Sequence, residues 1–454
     1  MINIIIQTII ENKEFLEKSL EESVKCGEIS TFSKKLRNVF DDAGRKTLVG
    51  ILETIDKAIF ESQARKYEYE TKDLRKRTLI TDYGNIEYYR RYYRNRQTKE
   101  YTYLTDEKMG IEKNERIMKD VQSNIIELAH DISYKKTGKK VVGSEIISPT
   151  TVMHKVRQEE LKVETKEEKK EIKRLYIEAD EDHVSERGKK IGMPKLIYVH
   201  EGNYTKRNRN VLKNVHYIGC LGKNSEELWL EVAEYIDKKY DVGTIEKVYI
   251  CGDGAGWIKE GLNWIEKSVF VLDRFHLLKY INQATVDFPE YRNKLWYNIN
   301  IYDPVSVENI FKEILEKIED EKRKEKVLYS YKYIINQWKG IEIYETDGEY
   351  LKGCSAEGHI SHVYADRMSS RPRTWSDDGI DKMSRLRTFV SNGGNVYEEL
   401  IKRKKVNTKL KKYDRIIERN IKEGIKDTKF YEFPIVKTGK HSDIRKILNK
   451  IMYG

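Results

Sequence analysis

The stretch Tyr249–Gly261, YICGDGAGWIKEG, decides the fold because it joins a strand pattern to a helix pattern through a glycine-rich turn. The β-branched and aromatic residues before Gly252 predict a strand, and the residues after Gly256 predict a helix. Asp253 comes where the strand ends, at the edge where open α/β sheets bind ligands. Its neighbouring glycines leave room for another backbone or a substrate. The stretch alone leaves two interpretations of Asp253 open, a helix cap or a ligand-binding carboxylate.

Outward from this stretch, the sequence predicts an α/β domain. The run G-D-G-A-G lacks the G-x-G-x-x-G spacing of a dinucleotide-binding fingerprint, which disfavours nucleotide binding. Three strand patterns precede it, IKRLYIEADEDHV, PKLIYVHEG and NVHYIGCLG, and a helix pattern separates them from the strand that ends at Gly252. A helix, the strand SVFVLD and another helix follow. This order describes a mixed sheet with helices on its faces.

Two more acidic positions are candidates to act with Asp253. In the first predicted strand, Glu178, Asp180 and Asp182 share one face because side chains alternate along a strand. Glu357 lies far downstream, in CSAEGHISHVYADRMSSRPRTWS. A row of solvated acids is the plain interpretation, since like charges repel unless water or a cation offsets them. The alternative is that acids from two strands and a helix converge and hold two Mg²⁺ ions for phosphoryl transfer.

The N-terminal part of the chain has other patterns. Residues 1 to 70 carry helical periodicity, and RKRTLITDYGNIEYYRRYYRNRQTKEYTYL, from Arg75, predicts a hairpin around its DYGN turn. The hairpin interleaves tyrosines with arginines, which could stack on bases and contact phosphates. These arginines are Arg90, Arg91, Arg94 and Arg96. A solvated hairpin with a half-buried tyrosine face is the alternative.

A second candidate DNA-binding element follows the hairpin. NERIMKDVQSNIIELAHDIS predicts a helix, YKKTGKK a short helix or turn, and ISPTTVMHKVRQEE a helix with Ser148 as its cap and Pro149 at its first position. A helix-turn-helix would bring the last helix into the major groove of DNA. Its candidate DNA contacts are Thr150, Thr151, His154 and Lys155. An ordinary helical hairpin is the alternative.

Composition limits the class of protein. The chain of 454 residues has 86 lysines and arginines against 75 acidic residues, a formal net charge of +11, which favours a polyanionic partner. The four cysteines form no CxxC pair, which argues against a disulfide framework and a zinc ribbon. The sequence has no apolar run of membrane-spanning length. We therefore expect a cytoplasmic protein with no membrane partner.

The order of these patterns, with acids on the first strand, after the fourth strand and on a late helix, resembles the ribonuclease H-like core of DDE transposases. YIEADEDHV, CGDGAGWIKEG, LDRFHLLKYI and EGHISHVYADRMSSRPRTWS are similar to segments of the ISLre-two group of bacterial insertion-sequence transposases, which are related to Mutator-like transposases. The resemblance spans most of the chain and is most specific between Tyr176 and Trp375.

The resemblance implies a function and a site. The catalytic, metal-binding triad would be Asp180, Asp253 and Glu357, with Asp273 and His276 as a supporting D-x-x-H motif. Many relatives have D-G at the first acid where this chain has ADEDHV, so Asp182 competes with Asp180, which we prefer because it comes earlier in the strand. The implied cofactor is Mg²⁺ or Mn²⁺, with two ions in the active complex. The implied partners are the double-stranded DNA of terminal inverted repeats and target sites and, on DNA, further copies of the chain, which implies a nucleoid-associated location.

Two other classes of protein are alternatives. A transposase-derived DNA-binding protein without catalytic activity would keep the DNA-binding elements but would not need the three acids. A tyrosine recombinase is disfavoured, because no H-x-x-R motif leads to a C-terminal tyrosine nucleophile.

The charged segment EELKVETKEEKKE, at about 159–171, is the strongest predicted domain boundary. The sequence predicts six segments: 1–104, a helical module and the basic Tyr/Arg hairpin; 105–170, a helix-turn-helix region and charged linker; 171–282, the first part of the catalytic core; 283–345, an all-helical insertion; 346–395, the last part of the core with the third acid; and 396–454, a basic tail.

Overall fold

The structure, a computed structural model, describes residues 2–142, 147–188, 190–206, 209–222, 224–371, 373–402 and 408–426. These residues form two compact units. The first draws on Met1–Ile125, Lys135–Ser148 and Leu400–Gly454, and the second on Ile126–Tyr134 and Pro149–Glu399. The charged segment at about 159–171 therefore falls within the second unit, where residues 159–169 form neither helix nor strand.

Helices dominate the start of the first unit, as predicted for residues 1 to 70. The long third helix buries Leu52, Ile55 and Ile59, at the spacing of one helical face. The elements are α1 (Ile2–Glu11), α2 (Lys13–Cys26), α3 (Ile29–Glu61), α4 (Gln63–Glu68), β1 (Tyr69–Thr81), β2 (Gly84–Asn95), β3 (Tyr101–Thr102), α5 (Leu104–Met109), α6 (Lys119–Asp131) and α7 (Tyr134–Lys140). The last two helices are shared with the second unit.

The predicted hairpin is confirmed. β1 and β2 pair antiparallel with Thr81 opposite Gly84, so Asp82 and Tyr83 form the turn. Gly84 has a φ of +107°, a backbone conformation that glycine adopts without steric cost. β3 pairs with the other edge of β2 and completes a three-stranded sheet.

Two of the four hairpin arginines point inward, which differs from the expectation that all four face DNA. Arg90 is buried and forms an ion pair with Asp106. Arg91 forms an ion pair with Asp56, whose side chain is also buried. A buried carboxylate is stable only when a charge or hydrogen bonds compensate it, which explains these inward positions. The remaining two are Arg94, which is half-buried, and Arg96, which is exposed.

The three helices of the predicted DNA-binding region are present as α6, α7 and α8 (Pro149–Gln158). The connection between α7 and α8 spans residues 141–148, longer than the turn of about three to four residues in a helix-turn-helix. Residues 143–146 of this connection lie outside the described residues.

The second unit is built on a five-stranded mixed sheet, which confirms the predicted α/β class. The elements are β4 (Arg174–Glu181), β5 (Val184–Glu186), β6 (Lys190–Gly192), β7 (Lys195–His200), β8 (Asn203–Lys206), β9 (Arg209–Leu212), β10 (His216–Cys220), α9 (Ser225–Lys239), β11 (Lys247–Gly252), α10 (Gly256–Lys259), β12 (Ser268–Leu272) and α11 (Arg274–Thr285). The sheet order is β10-β7-β4-β11-β12, where β4, β11 and β12 are parallel and β7 is antiparallel to both its neighbours.

The two faces of β4 have different roles. Ile177 and Ala179 lie in a buried apolar cluster with Trp229 of α9. Because side chains alternate along a strand, Glu178 and Asp180 lie on the opposite face. That alternation lets one strand contribute both to the core and to a row of acids.

The predicted all-helical insertion is confirmed in the described residues between β12 and the third acid. It consists of α12 (Glu290–Asn300), α13 (Pro304–Glu316), α14 (Glu321–Asn336) and α15 (Trp338–Asp347). Its own buried cluster contains Leu295, Phe311 and Ile334, and includes Leu272 of β12.

The last described helices carry the third acid and part of the basic tail. They are α16 (Ala356–Ile360), α17 (Asp366–Met368), α18 (Asp377–Ser391), α19 (Val396–Lys402) and α20 (Asp414–Lys426). The tail residues 403–407 and 427–454 lie outside the described residues. Among the helices that the structure describes, none is long and apolar enough to cross a membrane.

Candidate active site

Three aspartates end adjacent parallel strands. β11 lies between β4 and β12 and pairs in parallel with both. Continuing the two registers past their last pairs puts Asp253 level with Asp180 on one side and with Asp273 on the other. This is the carboxyl edge of the parallel part of the sheet, where α/β proteins bind ligands. Asp253 therefore lies at the sheet edge where the sequence predicted it, and its role as a ligand stays a prediction.

Asp180 and Asp253 each keep one carboxylate oxygen available. Asp180 Oδ1 accepts a hydrogen bond from the backbone N–H of Glu181 at 2.9 Å, and Asp253 Oδ1 accepts one from the N–H of Ala255 at 2.8 Å. Within the described part of the chain, the second oxygen of each carboxylate has no hydrogen-bond partner. Both side chains are only half-buried, so these oxygens can reach a ligand.

The electrostatics around Asp180 favour a cation. The pKa of Asp180 is raised to about 6, chiefly by burial and also by the negative charge of Asp253, whereas the positive charge of His276 opposes the shift. Two partly buried carboxylates that repel each other are stabilised when a cation binds between them. The donor set is oxygen only, which suits Mg²⁺ or Mn²⁺ better than zinc.

The D-x-x-H motif forms a hydrogen-bonded pair at the same edge. Asp273 caps α11, because its Oδ1 accepts the N–H of Phe275 at 3.0 Å. Its Oδ2 lies 3.0 Å from Nδ1 of His276. This hydrogen bond, together with the charges of Asp273, Asp253 and Asp180, raises the pKa of His276. The ring is therefore held as a positive or readily protonated group beside the two acids.

Asp182, the competing first acid, has a different environment. It is buried, and its Oδ1 accepts hydrogen bonds from the hydroxyl of Ser369 at 2.9 Å and from the N–H of His183 at 2.8 Å. Burial raises its pKa, and the charge of Asp253 is not among the causes. Of the two candidate first acids, Asp180 therefore interacts electrostatically with Asp253, as the neighbouring Glu181 also does.

Glu178 has a role that the sequence did not reveal. It is 3% exposed, yet its carboxylate accepts hydrogen bonds from the hydroxyl of Tyr198, from Nε2 of His200 at 3.1 Å and from the N–H and hydroxyl of Ser355 at 2.6 and 3.0 Å. Burial alone would raise the pKa of Glu178, but the hydrogen bonds from His200, Tyr198 and Ser355 lower it overall. The signal in the sequence was the pair of polar residues at alternate positions of YVH in the second strand.

The contacts of Glu178 fix the start of the helix that carries the third acid. Ser355 directly precedes α16, and its backbone N–H is held by Glu178, two residues before Asp180 on β4. Glu357 itself is exposed, and its carboxylate has no hydrogen bond or ion pair with the described residues. Among those residues, no three His, Cys, Asp or Glu side chains are grouped so that they could hold a metal ion. The structure therefore brings Asp180 and Asp253 together, but not Glu357 with them.

The helical insertion contacts the loop that carries Asp253. The hydroxyl of Tyr333 donates a hydrogen bond to the backbone carbonyl of Asp253, and Nε2 of Gln337 donates one to the carbonyl of Gly254 at 3.3 Å. Gly254 has a φ of +89°, and a Cβ there would lie 2.4 Å from the Gln337 side chain. Only glycine fits this conformation and this contact, which explains the residue after Asp253.

The candidate DNA-contacting helix α8 has one buried face. Val152 and Val156 are buried, whereas Thr150 and His154 are exposed. The two other candidate contacts, Thr151 and Lys155, are half-buried.

Fold and site define an α/β protein with a mixed five-stranded sheet and a group of aspartates at its carboxyl edge. The chain belongs to UPF0236, described as an uncharacterised protein family, whose family model matches residues 25–405.

Relatives resemble the chain over nearly its whole length. A UPF0236 protein of Caldanaerobacter subterraneus subsp. tengcongensis, whose name joins eleven locus names, is 41% identical over 462 residues, covering 99% of this chain and 98% of that protein. Another UPF0236 protein from the same organism, with four locus names, is 41% identical over 435 residues, covering 94% of this chain and 92% of that protein. A more distant one, the "UPF0236 protein in vanSb 3'region" of Streptococcus gallolyticus, is 23% identical over 387 residues, covering 80% and 83%.

Proposed function

We propose that this protein is an insertion-sequence transposase of the DDE type. It would bind the ends of its element, cleave DNA strands there with the help of divalent metal ions, and join the freed 3′ ends to target DNA. The observation that carries the proposal is the pair Asp180 and Asp253, which end neighbouring parallel strands, interact electrostatically and each keep one oxygen available.

A ribonuclease H-like identity of the sheet is part of this proposal. Three strands of the five-stranded sheet, β4, β7 and β10, are followed by a helix, a strand, a short helix and a strand, which agrees with the order that the sequence resemblance implies. The first acid is on the central strand of the sheet, and the third is on a helix after the insertion.

Asp180 and Asp253 would be metal ligands, with Glu357 as the third. The available oxygens and the raised pKa of Asp180 fit a divalent cation at the first two. Bound Mg²⁺ or Mn²⁺ ions would supply an activated attacking oxygen and stabilise the leaving oxygen in phosphoryl transfer. Glu357 would complete the set from the start of α16, which Glu178 anchors to β4. The pair of Asp273 and His276 would hold a positive charge next to the DNA phosphate.

The proposed partner is double-stranded DNA, at the terminal inverted repeats and at target sites. The net charge of +11 supports it, since a basic protein attracts a polyanion. The exposed face of α8, with Thr150 and His154, and the surface arginines Arg94 and Arg96 are the proposed contacts. Action on two element ends implies a homo-oligomer on DNA, located in the cytoplasm at the nucleoid.

The names of the relatives support a mobile element. One relative carries eleven locus names and another four, both from one organism. Closely similar genes at many loci of one genome are what an element that copies or moves itself would leave.

A nicking assay tests the proposal. The substrate is duplex DNA that carries the sequences flanking the gene, incubated with the whole chain and Mg²⁺ or Mn²⁺. We expect metal-dependent nicking by the wild type and its loss in Asp180→Asn, because the variant removes a ligand charge but keeps the side-chain shape. Asp182→Asn keeps the Oδ1 that accepts the hydrogen bonds of Ser369 and His183, so it is the matched control and should still nick. Nicking by Asp180→Asn at the wild-type rate would refute the assignment of the first acid.

The second candidate is a transposase-derived DNA-binding protein without catalytic activity. It is favoured by the position of Glu357, whose carboxylate makes no contact with the other two acids among the described residues. If the protein binds end-containing DNA specifically but does not nick it with Mg²⁺ or with Mn²⁺, this second candidate would be correct.

A further inference from the structure

A basic cavity lies at the carboxyl end of β4, outside the acidic site. Its volume is about 420 Å³. It is lined by His183, Ser185, Met368, Ser369, Arg371, Arg373 and Thr374. We call it the basic cavity. His183 follows β4 by two residues and comes three residues after Asp180, so the basic cavity lies beyond the end of the strand that carries Asp180.

Hydrogen bonds hold the walls of the basic cavity in place. Trp375, next to the cavity-lining Thr374, donates its backbone N–H to the carbonyl of Ser185 at 3.0 Å and accepts the N–H of Arg187 at 2.9 Å. Its indole Nε1 donates to the carbonyl of Met368 at 3.1 Å. The lining segment is therefore fixed to β5 on one side and to α17 on the other.

The positive charge in the basic cavity has no acidic partner. Arg371 is exposed and forms no hydrogen bond or ion pair with the described residues. Arg373 donates only to the backbone carbonyl of Arg367, at 2.9 Å. The pKa of Arg367 is lowered to about 10, chiefly by burial and also by the positive charges of Arg373 and Arg387, although the charge of Asp131 opposes the shift. Among the described residues, neither Arg371 nor Arg373 forms an ion pair with a carboxylate, so an anion in the basic cavity would neutralise them.

We propose that the basic cavity binds a phosphate of the DNA backbone next to the bond that is cleaved. The two guanidinium groups can form charge-assisted hydrogen bonds to phosphate oxygens, and the hydroxyls of Ser185 and Thr374 add further donors. Ser369 is held in place by Asp182, which gives this buried acid a role other than metal binding. The proposal rests on the proposed function, because it takes DNA as the ligand.

The test measures DNA binding without metal, so that it does not depend on cleavage. The whole chain is titrated onto a fluorescent duplex that carries the gene-flanking sequences, at several salt concentrations. We expect Arg371→Ala together with Arg373→Ala to weaken binding about tenfold and to lower the salt slope by about 1 to 2. Arg371→Ala alone removes a side chain that has no hydrogen bond or ion pair with the described residues, so it should weaken binding several-fold and tests the proposal if the double variant does not fold.

A matched control separates a specific contact from lost net charge. Lys326→Ala with Lys332→Ala removes two exposed charges from α14 and should leave the affinity unchanged. In a second experiment, single phosphates of the duplex are replaced by methylphosphonates, one position at a time. The wild type should bind more weakly when the replaced phosphate is the one next to the cleavage site. Arg371→Ala should bind this modified duplex and the unmodified duplex equally well. Equal affinities and salt slopes for Arg371→Ala and the wild type, or equal losses in the lysine control, would overturn the proposal. If Arg371→Ala binds DNA more weakly than the wild type, but the wild type nicks DNA with neither Mg²⁺ nor Mn²⁺, phosphate binding in the basic cavity would be supported and the proposed cleavage refuted.

Discussion

Glu178 illustrates how a single charged residue is retained in the core of this protein. The N–H of Gly202 donates to Nδ1 of His200 at 3.2 Å, so Nδ1 is an acceptor and the N–H of Nε2 donates to Glu178. The Tyr198 hydroxyl and the Ser355 N–H also donate to Glu178. An ionised carboxylate, which only accepts hydrogen bonds, satisfies all these donors at once.

This arrangement predicts that glutamine cannot replace Glu178. Glu178→Gln would set an amide NH₂ against one of the donors and leave buried groups unpaired, which costs on the order of 1 to 3 kcal/mol. We expect a lower free energy of unfolding in chemical denaturation and faster hydrogen exchange of the Ser355 amide. Ser355→Ala is the control, because it loses only the hydroxyl donor and should be less destabilised. Equal stability of Glu178→Gln and the wild type would contradict the account.

A second residue predicts a pH dependence. The ring of His216 stacks on Tyr235 with centroids 3.9 Å apart, and burial lowers its pKa to about 4. Between about pH 6.5 and pH 4 the unfolded chain therefore binds a proton at His216 more tightly than the folded chain does. The contribution of His216 to the free energy of unfolding is fully present above this window and is lost as the pH falls through it. From about pH 7 to pH 5 the loss should be about 1 to 2 kcal/mol.

His216→Phe keeps the stacked ring but cannot be protonated. Its free energy of unfolding, measured by denaturation at several pH values, should fall less toward acid than that of the wild type. Parallel pH curves for the two proteins would show that His216 does not contribute this dependence.

At the scale of elements, the insertion and the sheet meet at the Asp253 loop. α14 supplies Tyr333 and Gln337, which hold the carbonyls of Asp253 and Gly254. An insertion that only filled space would not need to bind this loop. We infer that it keeps the Asp253 carboxylate directed at Asp180.

Tyr333→Phe tests this inference. The variant keeps the ring, whose centroid lies 3.8 Å from that of Tyr280, and loses the hydrogen bond to the loop. We expect a slower nicking rate with nearly unchanged thermal stability, because misplacement of a catalytic group affects the rate more than the fold. Tyr331→Phe, on the same helix, is the control and should retain the wild-type rate. If Tyr333→Phe nicks at the same rate as the control, the hydrogen bond from the insertion to the loop does not contribute to activity.

The sequence predicted local elements better than contacts across elements. The hairpin, the order of strands and helices and the all-helical insertion all follow from local periodicity and turn residues, and all are present. The roles of Arg90 and Glu178 depend on Asp106 and Ser355, which lie far away in sequence. Spacing along a strand can tell which residues share a face, but it does not tell which distant donor or acid each will meet.

At the scale of the whole molecule, a basic chain contains a compact acidic site. The net charge of +11 attracts a polyanion, while Asp180 and Asp253 gather negative charge at one edge of the sheet. DNA would be repelled from that edge unless cations bind there. The proposed function requires basic surfaces that would hold DNA and an acidic site that would bind metal ions, and this charge distribution is compatible with both.

The central claim is that Asp253 is a metal ligand for DNA cleavage, and one measurement tests it most directly. Asp253→Asn retains the oxygen that accepts the Ala255 N–H but loses the ligand charge. Wild type and variant are compared for nicking of the end-containing duplex in Mg²⁺ and for binding of the same duplex without metal. The account predicts that the variant binds like the wild type and does not nick. Nicking by Asp253→Asn at the wild-type rate would contradict it.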